Sequence, residues 1–441
     1  MVLDLRRFYR ACNPTRTLKV EDPKDRKYYI DFSPVRGSDL IRELRRMITI
    51  LATDEPTCQL FTGHIGCGKS TELLRLKAEL EDEGFHTVYF ESSRDLDLAD
   101  IDVTDILLAI AQRVSGSLEA IDIHLRPRYF ASLFEEVSAF LKTPVSLDVE
   151  AELSLGIGKI TAQTRESPRL RDRLRQYLEP RTSSILEAIN AELFTRANQE
   201  LKKRGRRGLV VIVDNLDRVD SSLKPSGRSQ PEYLFVDRGD QLKQLNCHVV
   251  YTIPLVLVFS NELGRLINRF GVDPKVLPMV PVKLPSGQPC EPGMALLRQM
   301  VLARAFPNSP PQERLDHVLD VFDHIDTLNR LCSISGGHVR NLLVLLNRCL
   351  QQEDPPISQA CLESIIAQRR NELSLAITGD EWPLLQKIMQ QRQDVRGEEA
   401  YKLLLRSLFV FEYRHNGQLW NDINPILAET QEVQAWLASS L

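Results

Sequence analysis

The sequence predicts an α/β fold built around a mainly parallel β-sheet. Two short runs rich in β-branched side chains, at residues 209–213 and 248–252, are typical of strands that are buried on both faces. Predicted helices separate the predicted strands along the chain, and this alternation favours a parallel sheet. The third observation is the glycine-rich string GHIGCGKST at residues 63–71, which lies between an apolar run and a segment with helical spacing.

The glycine-rich string matches the pattern G-x-x-x-x-G-K-[ST]. A strand, a glycine turn and a helix in this order aim backbone N–H groups and the positive end of the helix at a polyphosphate. Lys69 is placed for the β- and γ-phosphates, and the Ser70 hydroxyl is placed for Mg²⁺. The predicted site for a nucleoside triphosphate, the P-loop, comprises Gly63, His64, Ile65, Gly66, Cys67, Gly68, Lys69, Ser70 and Thr71.

Length and composition narrow the class of protein. The 441 residues are enough for two or three domains. A formal net charge of -4 gives no support for a dominant nucleic-acid or membrane-surface role. The eight cysteines include no C-x-x-C pair, so neither a zinc ribbon nor a disulfide framework is indicated. The start of the sequence has no apolar core of signal-peptide length, and the longest apolar run, at residues 249–259, is too short to span a bilayer, so we expect a cytoplasmic protein.

The patterns divide the chain into an N-terminal segment, an α/β core, a helical lid and a small C-terminal module. The core carries an insertion at about residues 95–205, which is mostly helical. In the insertion, strict alternation at residues 145–157 predicts a half-buried β ribbon. The predicted boundaries are 1–35 for the segment, 36–290 for the core, 291–375 for the lid and 376–441 for the module.

Three further elements are predicted within the core. Apolar residues at three- and four-residue spacing predict a helix over residues 37–51. A strand is predicted at residues 86–91, after the glycine that ends the P-loop helix. Residues 276–282 form a weaker apolar run, from which we expect another strand.

The C-terminal module has a helix followed by two predicted strands. Residues 398–408 have helical spacing, and residues 409–414 and 418–423 are expected to be strands. Asn416-Gly417 between these strands is the strongest short hairpin signal in a sequence. This arrangement resembles the end of a winged helix, a domain that commonly follows the lid in STAND and initiator-type ATPases.

Carboxylates for Mg²⁺ and for catalysis are predicted in the string VVIVDNLDRV. Asp214 ends the buried strand, which we expect to lie beside the P-loop strand, where Mg²⁺ coordination requires a carboxylate. Asp217 is a candidate for polarising the attacking water. Glu91, at the end of the strand over residues 86–91, is the alternative base.

Four strings carry a family resemblance. In chain order, GHIGCGKST, VVIVDNLDRV, HVVYTIP and SISGGHVRNLL resemble the Walker A, Walker B, sensor 1 and sensor 2 elements of AAA+ and STAND ATPases. The string DNLDR is similar to the Walker B of KAP-type proteins. The resemblance implies that the nucleotide is ATP and that Lys69, Ser70 and Thr71 hold its phosphates and Mg²⁺. It also implies that Asp214 binds Mg²⁺ and that Asp217 polarises the catalytic water. Thr252 would be the sensor 1 residue, and Arg340 the sensor 2 arginine that faces the γ-phosphate.

Two features qualify the expected activity. Many AAA+ proteins have Asp-Glu at Walker B, whereas this chain has Asp214-Asn215, which favours slow, switch-like hydrolysis. An arginine after sensor 1 often acts on a neighbouring subunit's nucleotide in such families. Arg265 and Arg269 lie in that interval, and each is otherwise a solvated charge on a helix.

The charge of the C-terminal module bears on its partner. From residue 379 to the end there are six basic and nine acidic residues, whereas binding to DNA phosphates needs a basic face. A contact with the ATPase core or with a protein partner is therefore favoured over DNA. The basic run at residues 202–207 is expected to be a solvated loop.

The resemblance implies an ATPase that acts as a nucleotide-dependent conformational or oligomerisation switch, in prokaryotic signalling or defence. A homo-oligomer and a protein partner or effector are expected, with no membrane association. The alternative is a DNA-engaging initiator or loader that uses the winged helix. A third hypothesis is a scaffold that binds the nucleotide without hydrolysing it.

Overall fold

The computed structural model describes residues 3–125, 127–141, 167–224, 226–391, 399–415 and 417–439. Contacts between residues divide the chain into two compact units. The first unit comprises Met1–Leu40, Gly63–Arg75 and Val276–Leu441, and the second comprises Ile41–Thr62 and Leu76–Lys275. The β ribbon predicted at residues 145–157 lies outside the described residues. No helix in the described part of the chain is long and apolar enough to cross a bilayer.

A parallel sheet is the framework of the fold. Its strands are β1 (Cys58–Gly63), β2 (His86–Glu91), β3 (Leu209–Asp214), β4 (His248–Thr252) and β5 (Lys275–Leu277), in the spatial order β2–β3–β4–β1–β5. Every residue of β3 and β4 is buried, as the β-branched runs predict. The weakest predicted strand is shorter than expected, since Pro278 and Pro281 cannot donate to a sheet ladder.

The order of the strands corrects one expectation. Asp214 does end a buried strand, but that strand does not lie beside β1, because β4 separates the two. The register pairs Val213 of β3 with Tyr251, and Phe61 of β1 with Thr252. Sheet order depends on crossovers that local sequence patterns do not report. The strand end next to β1 therefore carries Thr252 rather than Asp214.

The N-terminal segment contains two short helices. They are α1 (Leu5–Ala11) and α2 (Pro23–Arg26), followed by a 3₁₀ turn at Ser33–Val35. The carboxylates of Asp4 and Asp22 accept hydrogen bonds from backbone N–H groups of the first turns, so both helices begin at N-caps.

Helices pack around the sheet in the second unit. Val211, Ile106 and Phe235 belong to one continuous apolar core there. The predicted helix over residues 37–51 begins at Leu40 and ends in a π-helical turn at Met47–Leu51. The helices are α3 (Leu40–Arg46), α4 (Lys69–Asp82), α5 (Ser92–Asp95), α6 (Val103–Glu119), α7 (Arg128–Leu141), α8 (Pro168–Leu178), α9 (Thr182–Ala188), α10 (Thr195–Lys203), α11 (Gly239–Lys243) and α12 (Leu263–Phe270); α3 and α4 begin in the first unit.

The part of the first unit that follows β5 is mainly helical, in agreement with the helical lid predicted at residues 291–375. Side chains of His324, His338 and Ser358 cap three of these helices. Within the predicted lid, Arg314–Asp320 form a 3₁₀ helix. The α-helices are α13 (Glu291–Ala305), α14 (Ile325–Ile334), α15 (Val339–Gln352), α16 (Gln359–Ser374), α17 (Glu381–Gln391), α18 (Glu399–Arg406), α19 (Pro425–Ala428) and α20 (Gln431–Ser439).

The helix and hairpin of the C-terminal module are confirmed. After α18 come β6 (Val410–His415) and β7 (Gln418–Ile423), which pair antiparallel with Glu412 opposite Asn421. Gly417 in the connecting turn has φ 79°, a left-handed conformation that glycine adopts readily. The chain thus has an α/β core with a parallel sheet, a helical lid and a winged-helix-like end.

Candidate nucleotide-binding site

The P-loop connects β1 to α4. Residues 63–68 form the loop, and α4 begins at Lys69, so the helix N-terminus follows the glycine turn directly. Ser70 and Thr71 lie half-buried in the first turn of α4. This order places the first N–H groups of a 14-residue helix, which have no acceptor within a helix, directly after the glycine turn, which is the geometry that binds phosphate.

Lys69 is held by the loop that it follows. Its side chain is 5% exposed, and Nζ donates hydrogen bonds to the carbonyl oxygens of Gly63 at 2.7 Å and His64 at 2.8 Å. The ammonium group therefore lies over the first turn of the P-loop. A buried cation at this position adds to the positive field of the helix N-terminus.

The carbonyl groups in the middle of the P-loop accept hydrogen bonds from outside the loop. Ile65 O bonds His338 Nε2 at 2.8 Å, and Gly66 O accepts from the Arg340 backbone N–H at 3.2 Å. Cys67 O accepts from Arg36 Nη2 at 2.7 Å. Three consecutive peptide groups are thereby fixed, as a preorganised phosphate cradle requires.

A very close approach brings residues 338–340 against the P-loop. A Cβ added to Gly66 would lie 2.9 Å from Arg340 Cβ and 2.9 Å from the His338 ring. Gly66 has φ 90°, so a side chain there would also be strained. Arg340, predicted as the sensor 2 arginine, thus lies with its backbone on the P-loop, and its side chain is half-buried.

One buried histidine, His64, belongs to the P-loop, and a second, His338, is hydrogen-bonded to it. The pKa of His64 is lowered to about 3, chiefly by burial and also by the nearby His338 and Lys69. The pKa of His338 is lowered to about 4, chiefly by burial; its hydrogen bond to Ile65 opposes this shift, and the charges of Arg340 and Lys69 add to it. Both rings are neutral at pH 7, so each can both donate and accept a hydrogen bond.

The N-terminal segment also contacts the P-loop and its helix. Arg36 is 3% exposed and lies over the Phe32 ring, 5.3 Å from its centroid, while its guanidinium bonds Cys67. Tyr29 OH lies 3.2 Å from both carboxylate oxygens of Glu72, in α4. Burial raises the pKa of Glu72, and the Arg36 charge opposes this shift.

In the second unit, Asp214 is fully buried at the end of β3. Tyr89 OH, on the neighbouring strand β2, donates to Asp214 Oδ2 at 2.7 Å. The backbone N–H of Asn215 donates to Oδ1 at 2.7 Å. Asn215 itself has φ 67°, a conformation that asparagine tolerates, and its side chain donates to Ser93 Oγ at 3.1 Å. The Asp214 carboxylate is therefore held in one orientation.

Thr252, the predicted sensor 1 residue, links the ends of two strands. It is fully buried, and its Oγ1 accepts a hydrogen bond from Leu216 N at 3.0 Å. The same hydroxyl lies 3.4 Å from Val213 O. Thr252 thus fixes the backbone that leads from Asp214 to Asp217.

The candidate bases lie at the carboxyl ends of β2 and β3: Glu91 is the last residue of β2, and Asp217 follows β3. Asp217 is 9% exposed within the 3₁₀ turn at Leu216–Arg218. Glu91 is opposite Asp214 in the sheet register, and its carboxylate forms an ion pair with Arg94 at 2.8 Å.

The arginines considered for action on another subunit form ion pairs within the second unit. Arg269 pairs with Asp240 and donates to Val236 O at 3.0 Å. Arg265 pairs with Glu262 at 2.7 Å, and its side chain is 55% exposed. Arg265 is thus the more accessible of the two.

Several arginines of the basic run at residues 202–207 have structural partners. Arg204 donates to the carbonyl groups of Ile121 and Asp122, and Arg207 pairs with Glu83 at 3.0 Å. These contacts reduce the number of charges in the run that could meet a nucleic-acid phosphate.

The described residues fit a nucleotide and Mg²⁺. A Cβ added to Gly68 would meet no atom within 4 Å, so the loop has open space at the residue before Lys69. No group of three His, Cys, Asp or Glu side chains within the described ranges could hold a metal ion. Mg²⁺ usually takes one or two carboxylates together with phosphates and water, so Asp214 and the Ser70 hydroxyl are suitable donors.

Sequence reasoning missed four residues of these arrangements. Tyr89, Arg36, His338 and Glu412 each contact a predicted site residue or its loop. Only His338 had a sequence signal, since it directly follows two glycines at the start of a predicted helix. The others lie far away along the chain, so their contacts depend on tertiary packing.

No family model and no curated protein matches this chain. Among solved structures, the Aeropyrum pernix ORC2 protein in ADPNP–ADP complexes is 12% identical, with 96% of this chain and 97% of that chain covered and a TM-score of 0.42. A Walker-type ATPase of Pyrococcus abyssi is 12% identical, covers 96% and 99%, and has a TM-score of 0.43. The Aeropyrum pernix ORC1 protein in complex with DNA is 13% identical, covers 96% of each chain and has a TM-score of 0.40.

These likenesses are too distant to assign an activity. The chain's own architecture identifies its fold: β1, the GHIGCGKST loop and α4 follow one another, and the strands run β2–β3–β4–β1–β5. A parallel sheet with this loop at the end of a strand is the P-loop NTPase fold.

Proposed function

We propose that this chain binds ATP with Mg²⁺, hydrolyses it slowly and acts as a nucleotide-dependent switch. The observation that carries the proposal is the P-loop, whose Ile65, Gly66 and Cys67 carbonyls are each fixed from outside while Lys69 lies over its first turn. Such a loop presents a rigid positive cradle, and it needs little reorganisation when a polyphosphate enters.

The roles of the chain's own residues follow from chemistry. The Lys69 ammonium would neutralise charge on the β- and γ-phosphates. The Ser70 hydroxyl and the Asp214 carboxylate, held by Tyr89, would hold Mg²⁺. When bound, the ion neutralises charge that develops on the phosphate oxygens. We assign Asp217 to the attacking water and retain Glu91 as the alternative.

Slow turnover is supported by the residue after Asp214. Asn215 is neutral, and its side chain bonds Ser93 instead of offering a second carboxylate. The assigned base, Asp217, lies in the next turn, and Thr252 fixes the backbone of this turn through Leu216 N. A switch needs a bound-nucleotide state that persists, and a weakly activated water prolongs that state.

A phosphate-release assay tests hydrolysis and identifies the base. Wild type should release phosphate from ATP in a Mg²⁺-dependent reaction. Asp217→Asn should lower the rate at least about a hundredfold, since general bases contribute factors of this size, whereas Glu91→Gln should retain most of it. The reverse pattern would assign the base to Glu91. If wild type binds ATP but releases no phosphate, the protein is instead a scaffold that binds ATP without hydrolysing it.

The output that we propose is a change in assembly or partner engagement. Arg340 N–H bonds the P-loop at Gly66, and the same lid helix α15 continues to Gln352. Light-scattering mass measurements with ADP and with a non-hydrolysable ATP analogue should give different oligomer distributions. Equal masses in both states would count against an oligomerisation switch. The narrower STAND-like or KAP-like assignment and the role in signalling or defence remain predictions.

The second candidate is a DNA-engaging initiator or loader. The helix α18 followed by the hairpin β6–β7 is the arrangement that favours it. The acidic balance of residues 379–441 argues against a phosphate-binding face. ATP-dependent duplex binding that weakens steeply with salt would establish this candidate. Absence of such binding, together with nucleotide-driven assembly, would favour the switch.

A further inference from the structure

The hairpin β6–β7 reaches the P-loop through a backbone hydrogen bond. The Glu412 N–H donates to His64 Nε2 at 3.0 Å, and His64 is the second residue of the P-loop. His64 and Glu412 are both 2% exposed, so this bond is shielded from water. Because Nε2 accepts here, the single proton of the neutral ring lies on Nδ1.

A second contact uses the ring of Phe411. It is fully buried, stacks on His338 with centroids 5.7 Å apart and an interplanar angle of 18°, and meets His64 edge-on at 6.0 Å. His338 Nε2 bonds Ile65 O, while its Nδ1 accepts from Asn341 N at 3.0 Å. The Phe411 ring therefore touches two imidazoles, one within the P-loop and one bonded to it.

The hairpin is also held from its other side. Glu412 O accepts a hydrogen bond from Met279 N at 3.1 Å, and Tyr413 OH donates to Gly336 O at 2.8 Å. Gly336 and Gly337 directly precede His338. Three consecutive residues of strand β6 thus contact the P-loop or residues 336–338: Phe411 through its ring, and Glu412 and Tyr413 through hydrogen bonds.

These contacts have one compatible arrangement. His338 donates at one nitrogen and accepts at the other, and His64 accepts at Nε2 from the Glu412 N–H. A rotation of residues 64–65 would break a buried hydrogen bond or separate stacked rings, each at a cost in free energy. Closely packed interiors pass such displacements to their neighbours.

We propose that the hairpin β6–β7 is a positioning element of the nucleotide site: Phe411 and the Glu412 N–H hold His64 and His338, so the conformations of hairpin and P-loop are coupled. The inference rests on the proposed ATP binding at residues 63–71. Coupling between two sites is reciprocal. The free energy by which the hairpin conformation changes nucleotide affinity therefore equals the free energy by which bound nucleotide changes the conformational equilibrium of the hairpin. The C-terminal module is then a reporter of nucleotide state.

The test combines nucleotide affinity with hydrogen exchange in the full-length protein. Affinity is measured with a fluorescent ATP analogue and Mg²⁺, and exchange is followed in peptides that cover residues 408–424, with and without nucleotide. Wild type should bind, and binding should change exchange in these peptides. His64→Leu removes the acceptor, so affinity should fall roughly three- to tenfold and the nucleotide-dependent change in exchange should disappear.

Rescue separates positioning from packing. His64→Gln offers an amide oxygen at nearly the distance of Nε2, so it should restore most of the affinity and of the exchange response. Phe411→Leu keeps an apolar side chain but removes the ring contacts, and it should reproduce the effect of His64→Leu. Trp420→Phe is the control, because Trp420 lies on β7 and stacks on Tyr413 rather than on His64 or His338. Both readouts should stay at wild-type values.

The outcomes distinguish the two proposals. The proposed coupling is wrong if wild type binds the analogue without a change in exchange over residues 408–424. It is also wrong if His64→Leu and Phe411→Leu bind as tightly as wild type and keep its exchange response. In both cases the proposal that the protein binds ATP is unaffected. If wild type binds no nucleotide, the proposed function fails and the coupling fails with it. Circular dichroism confirms that each variant is folded.

Discussion

At the scale of single residues, the polar groups of the site are oriented by neighbours that the motif does not contain. Tyr89 donates to Asp214, and Thr252 accepts from Leu216 N. Metal ligands are commonly oriented by such outer hydrogen bonds, which tune affinity without touching the ion. Two substitutions can therefore test the assigned roles without altering the motif itself.

Replacing Tyr89 by Phe should weaken the dependence on Mg²⁺. The change removes the donor to Asp214 Oδ2, so we expect the Mg²⁺ concentration for half-maximal phosphate release to rise roughly tenfold. Tyr251→Phe is a matched control, since it removes a buried hydrogen bond to Leu242 O at 3.1 Å on the next strand but one. The control variant should be less stable than wild type but should need the same Mg²⁺ concentration. If phosphate release depends on Mg²⁺ concentration in the same way in Y89F and wild type, Tyr89 does not contribute to Mg²⁺ binding.

Replacing Thr252 by Val should slow hydrolysis more than it weakens binding. The isosteric change leaves Leu216 N–H without its acceptor, at a cost of about 1–3 kcal/mol, and it loosens the turn that carries Asp217. Thr62→Val is the matched change on β1, where the hydroxyl donates to Ile253 O at 2.7 Å. Single-turnover rates should fall for T252V only. A similar loss in both variants would indicate general destabilisation of the sheet.

At the scale of elements, glycine allows two segments to approach closely before α15. A Cβ at Gly337 would lie 1.7 Å from Val280 O, and the residue has φ 69°. Val280 N also donates to Gly337 O at 3.3 Å. The segment that presents His338 and Arg340 to the P-loop therefore depends on the absence of a side chain one residue earlier.

Gly337→Ala should destabilise the first unit by at least about 3 kcal/mol. The alanine would be strained in the left-handed conformation, and the backbone would also have to move away from Val280 O to make room for the methyl group. Gly287→Ala is the control: that glycine has φ 84°, but its Cβ would meet no atom within 4 Å. It should cost about 1 kcal/mol. Urea unfolding measures both values, and similar losses would mean that the contact with Val280 relaxes easily.

At the scale of the whole molecule, each compact unit contains part of the predicted nucleotide machinery. The P-loop and Arg340 belong to the first unit, whereas Asp214, Asp217 and Thr252 belong to the second. Buried neutral histidines are found in both units, since burial also lowers the pKa of His248 to about 4.

Stability should fall with acid, and His64 and His338 should account for part of the fall. Their pKa values in the folded protein are lowered from 6.5, so below pH 6.5 the unfolded chain binds more protons than the folded one. Stability is therefore full above about pH 6.5 and is lost as the pH falls towards 4. Each histidine should contribute a slope of about 1.4 kcal/mol per pH unit in that window.

Urea unfolding at several pH values measures this slope. The double variant H64Q/H338Q should show a smaller slope between pH 6.5 and 5 than wild type, even if its stability at pH 7.5 is lower. Above pH 7 the two slopes should agree, since neither imidazole takes up protons there. Equal slopes below pH 6.5 would mean that the two rings are not kept neutral by burial.

Local patterns were sufficient for the elements that local chemistry controls. The β-branched runs of β3 and β4, the P-loop between β1 and α4, and the hairpin around Gly417 all depend on neighbouring residues, and all are present in the structure. The nucleotide-binding motif is of this kind, because its glycines, Lys69 and Ser70 are consecutive. Its identification therefore needed no tertiary information.

Contacts across long distances in the chain were decided only by the tertiary structure. The sheet order placed β4 between β1 and β3, which corrected the expected neighbour of Asp214. The bond from Glu412 to His64 joins residues 348 positions apart, and no periodicity or motif reports such a pair. The sequence by itself determined that a nucleotide loop exists. Packing determined which distant groups hold that loop, because side chains meet through the order of crossovers and the shape of the core.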